Sequence, residues 1–313
     1  MEESTYTSLR GRDLLTLQDY ASDEIARLLR TAGEMKRGPR FRPDALRGKN
    51  LAMVFQKPST RTRLSFEVAM LQLGGHAIYL RWDDLQLGRG ETIGDTARML
   101  SRYADGVVAR VYRHSDLEEL AGNADIPVIN GLSDLFHPCQ ALADLQTILE
   151  RKGRLKGVKV AYIGDGNNVC NSLLIACSKA GTDIAVASPP AYRPNEAIIE
   201  LALKNARTSG ATIEVVEEPS EAARDADVIY TDTFVSMGAE AEREKRLAAF
   251  LPRYQVTSKL FSHAKPDAFF MHCLPAHRGE EVAAEVLDGP RSVVVDQAEN
   301  RLHVQKAVLS MIL

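Results

Sequence analysis

VKVAYIGDGNNVCNSLLIACSKAG, residues 158–181, is the stretch whose reading decides the fold. Val158–Ile163 is an apolar run of the length a buried strand needs. Gly164-Asp165-Gly166-Asn167 interrupts it with turn formers. Asn168–Ala180 then reads as a helix, and Gly181 stands where a left-handed C-cap is expected. Strand, tight turn and helix together make the first part of a βαβ unit, the building block of a parallel sheet. The turn lacks the dinucleotide fingerprint GxGxxG, because no third glycine follows at the required spacing. A dinucleotide is therefore disfavoured, while a small polar ligand fits. Taken alone, the turn is equally an ordinary one whose asparagine caps the helix.

The same alternation extends in both directions. Further strands are expected at Leu51–Phe55, Ala77–Leu80, Gly106–Val111 and Pro127–Asn130, and then at Asp183–Ala187, Ala211–Val216, Val228–Thr231, Ala268–Met271 and Ser292–Val295. Helices fill the intervals. Ser22 to Arg37 opens with a cap residue and two acids, Ser115-Asp-Leu-Glu118 resembles a capping box, and Pro138 starts a helix reaching Arg151. The pattern pauses in the basic, glycine-containing RKGRLKG of 151–157. We therefore expect an α/β protein of two doubly wound domains, each a parallel sheet with helices on both faces. The expected boundaries are 1–150 and 151–298, with a last helix over 299–313 that periodicity alone assigns to neither.

The chain has 313 residues, with 39 Lys+Arg against 42 Asp+Glu, a formal charge of −3. That balance argues against general nucleic-acid binding, which needs a basic surface, but allows a local anion pocket. No apolar run reaches the roughly 18–20 residues of a membrane span. The opening MEESTYTSLRGRDLL has no apolar signal core, so a cytoplasmic location is expected. Cys139, Cys170, Cys177 and Cys273 form no CxxC pair and read as reduced thiols.

In open parallel sheets ligands bind beyond the carboxyl ends of the strands, so the loops after strands carry the candidate chemistry. Lys57-Pro58-Ser59-Thr60-Arg61-Thr62-Arg63 follows one strand and opens a helix. Ser59 is an N-cap candidate, and backbone N–H groups, hydroxyls and guanidiniums gather at one helix start, which suits a phosphate. Arg61 and Arg63 lie about 200° apart around a helix. Arg61 is the better anion ligand, and Arg63 is placed to pair with Glu67. His137-Pro138-Cys139-Gln140 puts an imidazole and an amide on one side of a first helical turn. They suit a carbonyl oxygen and an NH₂, although a histidine there also caps or packs under a helix. Asp232, just past a buried strand, suits an ammonium group or caps the following segment. Ser236-Met237-Gly238 and the charged run AEAEREKR fall within 234–250, which reads as a mobile lid or as a solvated helix. In His272-Cys273-Leu274-Pro275 the cysteine is open to several roles. A zinc reading through His137, His272, Cys273 and His277 lacks any recognised ligand spacing, so no metal is expected. Arg110 at a strand end and Arg301 at the start of the last helix gain interest from the suspected anion chemistry.

Together, STRTR, HPCQALADLQTI and HCLP resemble the signatures of the aspartate/ornithine carbamoyltransferase family, in order and across nearly the whole chain. The SMG after Asp232 and the HCLP segment are similar to the ornithine-using branch. The resemblance implies transfer of a carbamoyl group from carbamoyl phosphate to the δ-amine of L-ornithine, without metal, nicotinamide or other cofactor. It implies that Ser59, Thr60, Arg61 and Thr62 hold the phosphate and that Arg110 bridges phosphate and carbonyl. His137 would contact the carbonyl oxygen, Gln140 the carbamoyl amide and Arg301 the carbamoyl oxygen. Gln86 would reach a neighbouring subunit's site. Asn168 would bind the ornithine carboxylate, and Asp232, Ser236 and Met237 its α-amino end. Cys273 and Leu274 would line the reacting centre. The catalytic set implied is Arg61, Arg110, His137 and Cys273. A homotrimer, or a multiple of trimers, is implied, with the last helix returning to the N-terminal domain. Many members have Trp where this chain has Phe234, beside the ornithine contacts, so that position bears on the choice of amine. Carbamoyl transfer to putrescine, aspartate or an acylated ornithine is the nearest alternative, and a non-catalytic sensor of a phosphate compound the next.

Overall fold

The computed structural model describes residues 8–38, 43–236 and 238–313. The chain divides into two compact units, one taking the residues through Asp19, Arg27–Cys139 and Arg301–Leu313, the other Tyr20–Ala26 and Gln140–Asn300.

The first unit is built on four parallel strands: β1 (Asn50–Phe55), β2 (His76–Arg81), β3 (Gly106–Arg110) and β4 (Val128–Leu132), in the order β2-β1-β3-β4. Its helices include most of α1 (Ser22–Arg37), then α2 (Thr60–Gln72), α3 (Ile93–Tyr103) and α4 (His114–Asn123). The second unit has five parallel strands: β5 (Lys159–Ile163), β6 (Asp183–Ala187), β7 (Ile213–Val216), β8 (Val228–Thr231) and β9 (Phe269–His272), in the order β7-β6-β5-β8-β9. Its helices include α5 (Pro138–Lys152), α6 (Asn168–Ala180), α7 (Glu196–Ser209), α8 (Pro219–Ala223), α9 (Arg243–Phe250), α10 (Ser258–Phe261) and α11 (Ala284–Leu287). The last helix, α12 (Val294–Ile312), runs from the second unit through Asn300 and continues in the first from Arg301. Among the described residues, no helix is long and apolar enough to cross a membrane. The α/β class with two parallel sheets is as the alternation implies.

The strands are apolar because helices cover both faces. β1, β3 and β5 are buried nearly end to end. Ala52, Val54, Val107, Ala109 and Leu117 lie in the first unit's core, and Ala161, Ile163, Ile229 and Phe270 in the second's. In each sheet the winding reverses once. β1 leads outward to β2, then β3 returns to pair with β1 on the other side; likewise β8 returns to β5 after β6 and β7. The crevice at such a reversal, at the carboxyl ends of the strands, is where open α/β sheets bind ligands. The loops after β1 and β3, and those after β5 and β8, therefore occupy the two switch points.

Three local readings are corrected. Ser292–Val295 is not a strand: Ser292 makes one bridge to Phe270 and α12 begins at Val294. Its β-branched residues suit either state, and the N–H of Gln297 bonds to the Val293 carbonyl, which closes the first helical turn. The last helix therefore starts before the expected 299. The second correction concerns α4, which starts at His114, with Ser115 inside its first turn and no side-chain cap from Arg113. Its first N–H is satisfied from a distance, by Asp134 Oδ1 at 2.8 Å. Third, the run after Ser236 is only in part the solvated helix expected: Glu240 to Lys245 are exposed on a short 3₁₀ turn and the start of α9, while Arg246 and Phe250 are buried.

Candidate active site

In the first unit, β1 delivers the chain to the start of α2. Ser59 sits in extended backbone, and its Oγ accepts from the Thr62 N–H at 3.2 Å, so it caps α2 as expected. Capping leaves other first-turn N–H groups available at a helix end that favours anions. Thr62 is buried, Ser59 and Arg61 are half-buried and Thr60 is exposed. Arg63 turns away, paired to Glu67 at 2.9 Å and stacked 3.8 Å over the Tyr79 ring.

Arg110 ends β3 at a bulge, where Ala109 pairs with Asn130 but Arg110 pairs with Leu132. Gly131 is the extra residue. A Cβ there would meet Val108 Cγ1 at 3.1 Å and the Ala109 carbonyl oxygen at 3.2 Å, so glycine permits the close approach. The bulge re-aims Arg110 at the strand end, where it is buried. Arg301, also buried, donates from Nη2 to Thr62 Oγ1 at 3.1 Å and places Nη1 3.4 Å from His137 Nε2. Burial, then Arg301 and Arg110, push the His137 pKa well below the ordinary imidazole value, so the ring is neutral at pH 7. Thr62, Arg301 and His137 thus converge, with Arg110 close enough to act on the ring. Gln86 does not join this buried group: its side chain is exposed on a 3₁₀ turn, Gln86–Arg89. Cys139, two residues along, is an inert buried thiol pushed up to about 11 by burial.

In the second unit, the turn after β5 and the loop after β8 are knitted together. Asn167 caps α6, its Oδ1 accepting from the N–H groups of Val169 and Cys170 at 3.0 and 3.2 Å. Its Nδ2 donates to Asp232 Oδ2 at 2.7 Å. Asp232 Oδ1 accepts from the Thr233 N–H at 2.8 Å and from Cys273 Sγ at 3.0 Å. Asn168 begins α6, half-buried, and Ser236 is half-buried in the loop after β8. Met237 lies outside the described residues. Leu274 takes a left-handed φ of 59°, and its N–H donates to His272 Nδ1 at 2.8 Å. The ring's other nitrogen, Nε2, faces Glu281 Oε1 at 3.2 Å. Burial alone would raise Glu281, but bonds from His272 and the His277 backbone outweigh it and hold the carboxyl below the usual range. Asp232, His272 and Cys273 present ligand atoms within 4.8 Å of one another. With both His272 nitrogens engaged, that trio is a hydrogen-bonded turn rather than a ready metal site.

Phe234 does not line this cluster. It is fully buried, stacked on Phe250 at 4.5 Å, and only its carbonyl acts outward, accepting from Arg246 Nε at 2.6 Å. Arg246 also pairs with Asp165, so α9 ties the loop after β8 to the turn after β5. From the sequence, Asn167 reads as a bare cap, Tyr230 as one residue of a strand and Arg246 as one of a charged run, while Gln297 carries no local signal. Asp144 left one trace: His137, Gln140 and Asp144 fall at i, i+3 and i+7, one face of a helix.

A family model described as "Aspartate/ornithine carbamoyltransferase, carbamoyl-P binding domain" matches residues 12–150, and one described as "Aspartate/ornithine carbamoyltransferase, Asp/Orn binding domain" matches 156–312. The chain belongs to the aspartate/ornithine carbamoyltransferase family. It is 61% identical over 308 residues to an ornithine carbamoyltransferase of Pyrococcus abyssi, covering 98% of this chain and 97% of that one. It is 59% identical to the ornithine carbamoyltransferase of Bacillus subtilis, covering 100% of this chain and 97% of that one. Among solved structures, the ornithine carbamoyltransferase from Pyrococcus furiosus superposes with a TM-score of 0.94 at 60% identity, covering 98% of each chain.

Proposed function

We infer that the protein transfers the carbamoyl group of carbamoyl phosphate to the δ-amine of L-ornithine, giving L-citrulline and phosphate. The observation that carries this reading is the pair of polar clusters at the two switch points. One is cationic around a neutral imidazole, the other carries a carboxylate held by an amide and a thiol.

Ser59, Thr60, Arg61 and Thr62 hold the phosphate with the N-terminus of α2, and Arg110 bridges phosphate and carbonyl. His137 and Arg301 donate to the carbamoyl oxygen, and Gln140 accepts from the carbamoyl NH₂. Asn168 takes the ornithine carboxylate, and Asp232, Ser236 and Met237 its α-amino end. Cys273 and Leu274 line the reacting carbon. The δ-amine attacks the carbamoyl carbon, a C–N bond forms, the anhydride C–O bond breaks, and phosphate leaves carrying the proton the amine loses. The residues' work is to align two substrates and stabilise the tetrahedral oxyanion, each preorganised donor contributing about 2.7–4 kcal/mol.

We place this activity in arginine metabolism in the cytoplasm, with the domains at 1–150 plus the last helix and at 151–298. A homotrimer, or a multiple of trimers, is the assembly. β2 is an edge strand with Ile78 exposed, and Leu64 and Leu71 are exposed on neighbouring α2, an apolar surface that fits a second copy of the chain. Gln86, exposed beyond that edge, is then offered to the adjacent subunit. Mixing a Gln86→Ala variant with an Arg61→Ala variant will regenerate activity if sites are shared, and no regain refutes sharing. Citrulline formation by the purified protein, with aspartate and putrescine run alongside, tests the reaction itself. Product from ornithine alone supports it, and product from another amine only refutes it.

A further inference from the structure

Asp144 is a fully buried carboxylate on α5 that the reaction as described does not use. Its Oδ1 accepts from Gln140 Nε2 at 2.8 Å and from Gln297 Nε2 at 2.7 Å, and its Oδ2 from the Tyr230 hydroxyl at 3.2 Å. Gln297 Nε2 also reaches the Tyr230 hydroxyl at 3.1 Å, closing a triangle. Gln297 Oε1 accepts from the His272 N–H at 2.9 Å, so the same network anchors the chain just ahead of Cys273 and Leu274. A buried ion or dipole of this kind is costly unless fully bonded, and three donors converge here.

We propose that Asp144 is a positioning residue that sets selectivity for the amide end of the carbamoyl donor. A primary amide has two nearly isosteric ends, and in a buried site either can point at a ligand. A carboxylate only accepts, so it must face the NH₂ end of Gln140. That commits the Gln140 carbonyl oxygen, as an acceptor, to the other side. Gln140 is 2% exposed and four residues from Asp144 on the same helix, so its amide has little freedom to escape the constraint. A fixed acceptor suits a carbamoyl NH₂ and rejects a methyl group in its place, because the acceptor is then left unmet. The inference rests on the reading above, that Gln140 meets the carbamoyl group.

Acetyl phosphate is the probe: it keeps the phosphate, anhydride and carbonyl, with CH₃ replacing NH₂. The ratio of its inhibition constant to the KM for carbamoyl phosphate reports the acceptor, and inhibition by inorganic phosphate reports the anion site alone. The wild-type protein will favour carbamoyl phosphate by about 10- to 100-fold. In Asp144→Leu no acceptor remains to hold the Gln140 NH₂, and the amide is free to turn over. The preference then falls to within about threefold, while phosphate inhibition stays near wild type. In Asp144→Asn the side-chain oxygen can still receive the Gln140 and Gln297 NH₂ groups while its own NH₂ donates to the Tyr230 hydroxyl, so the preference is kept. A preserved ratio in folded Asp144→Leu overturns the proposal, as does an equal weakening of both anhydrides and of phosphate. Should Asp144→Leu fail to fold, Asp144→Ser, whose hydroxyl is too short to hold the Gln140 NH₂, is read in its place, lost preference supporting the proposal and retained preference overturning it. Absence of citrulline from the wild-type protein would instead overturn the underlying function, which this ratio does not address.

Discussion

Arg301 places its Nη1 3.4 Å from His137 Nε2, and both side chains are buried. A guanidinium only donates, so the imidazole meets it as an acceptor and stays neutral. Burial and two arginines depress the His137 pKa from its ordinary 6.5. The unfolded chain titrates near 6.5, the folded one lower. Between those values the unfolded state binds more protons, so stability falls as pH drops below about 6.5 and is recovered as it rises. Arg301→Met removes one depressing charge, moves the ring's pKa upward and shrinks this loss. Urea unfolding from pH 5 to 8, with an NMR titration of the ring, checks the sign; an unchanged pH slope refutes the coupling. Turnover in the same variant is expected to fall about 10²–10³-fold.

Arg61 is half-buried, and no hydrogen bond or ion pair of its side chain is needed to close α2, which Ser59 caps. Arg61→Ala is therefore expected to keep its melting temperature within a few degrees while losing most activity. Inhibition by inorganic phosphate should weaken in parallel. Normal turnover would remove Arg61 from the anion site.

Asp232 accepts from Asn167, the Thr233 backbone and Cys273, all within the second unit. Asp232→Ala is expected to raise the KM for ornithine at least tenfold, and that for carbamoyl phosphate by less than threefold, given roughly 1.5–3 kcal/mol for hydrogen bonds to a charge. Steady-state kinetics with each substrate varied in turn separate the two, and equal effects contradict the division of labour.

Arg246 is buried between the Phe234 carbonyl, Asp165 and the face of the Tyr192 ring, 4.7 Å from its centroid. Removing one partner of such a pair strands the other, at a cost of about 3–5 kcal/mol. Arg246→Met is expected to lose that stability in chemical denaturation, and Arg246→Met with Asp165→Asn to regain part of it. Additive losses in the double variant would show that the two do not act as a pair.

Much of this was legible because the deciding chemistry is local. The Ser59 and Asn167 caps, the Arg63–Glu67 pair, α6 over Asn168–Ala180 and the left-handed Gly181 all follow from neighbours within a few residues. What escaped was set at a distance. The cap of α4 comes from Asp134, twenty residues on, and no helical period predicts that. Asp144 acquires its meaning from Tyr230 and Gln297, which only the tertiary fold brings to it. Phe234 sits in the sequence between site residues, yet its ring belongs to the core. A strand end can send successive side chains to opposite faces, so sequence adjacency to a site is no guarantee of facing it.

Gly166 has a wider bearing. A Cβ there would stand 2.1 Å from the Pro194 nitrogen, and the Gly166 N–H is already bonded to the Tyr192 carbonyl at 2.8 Å. Backbone meets backbone, so no change of a neighbouring side chain can make room. Over evolutionary time position 166 is closed to gradual remodelling, and any descendant of this chain that acquires a different amine must do so through other positions. Ser236, half-buried in the loop after β8 and outside both sheets, is where such a change can begin.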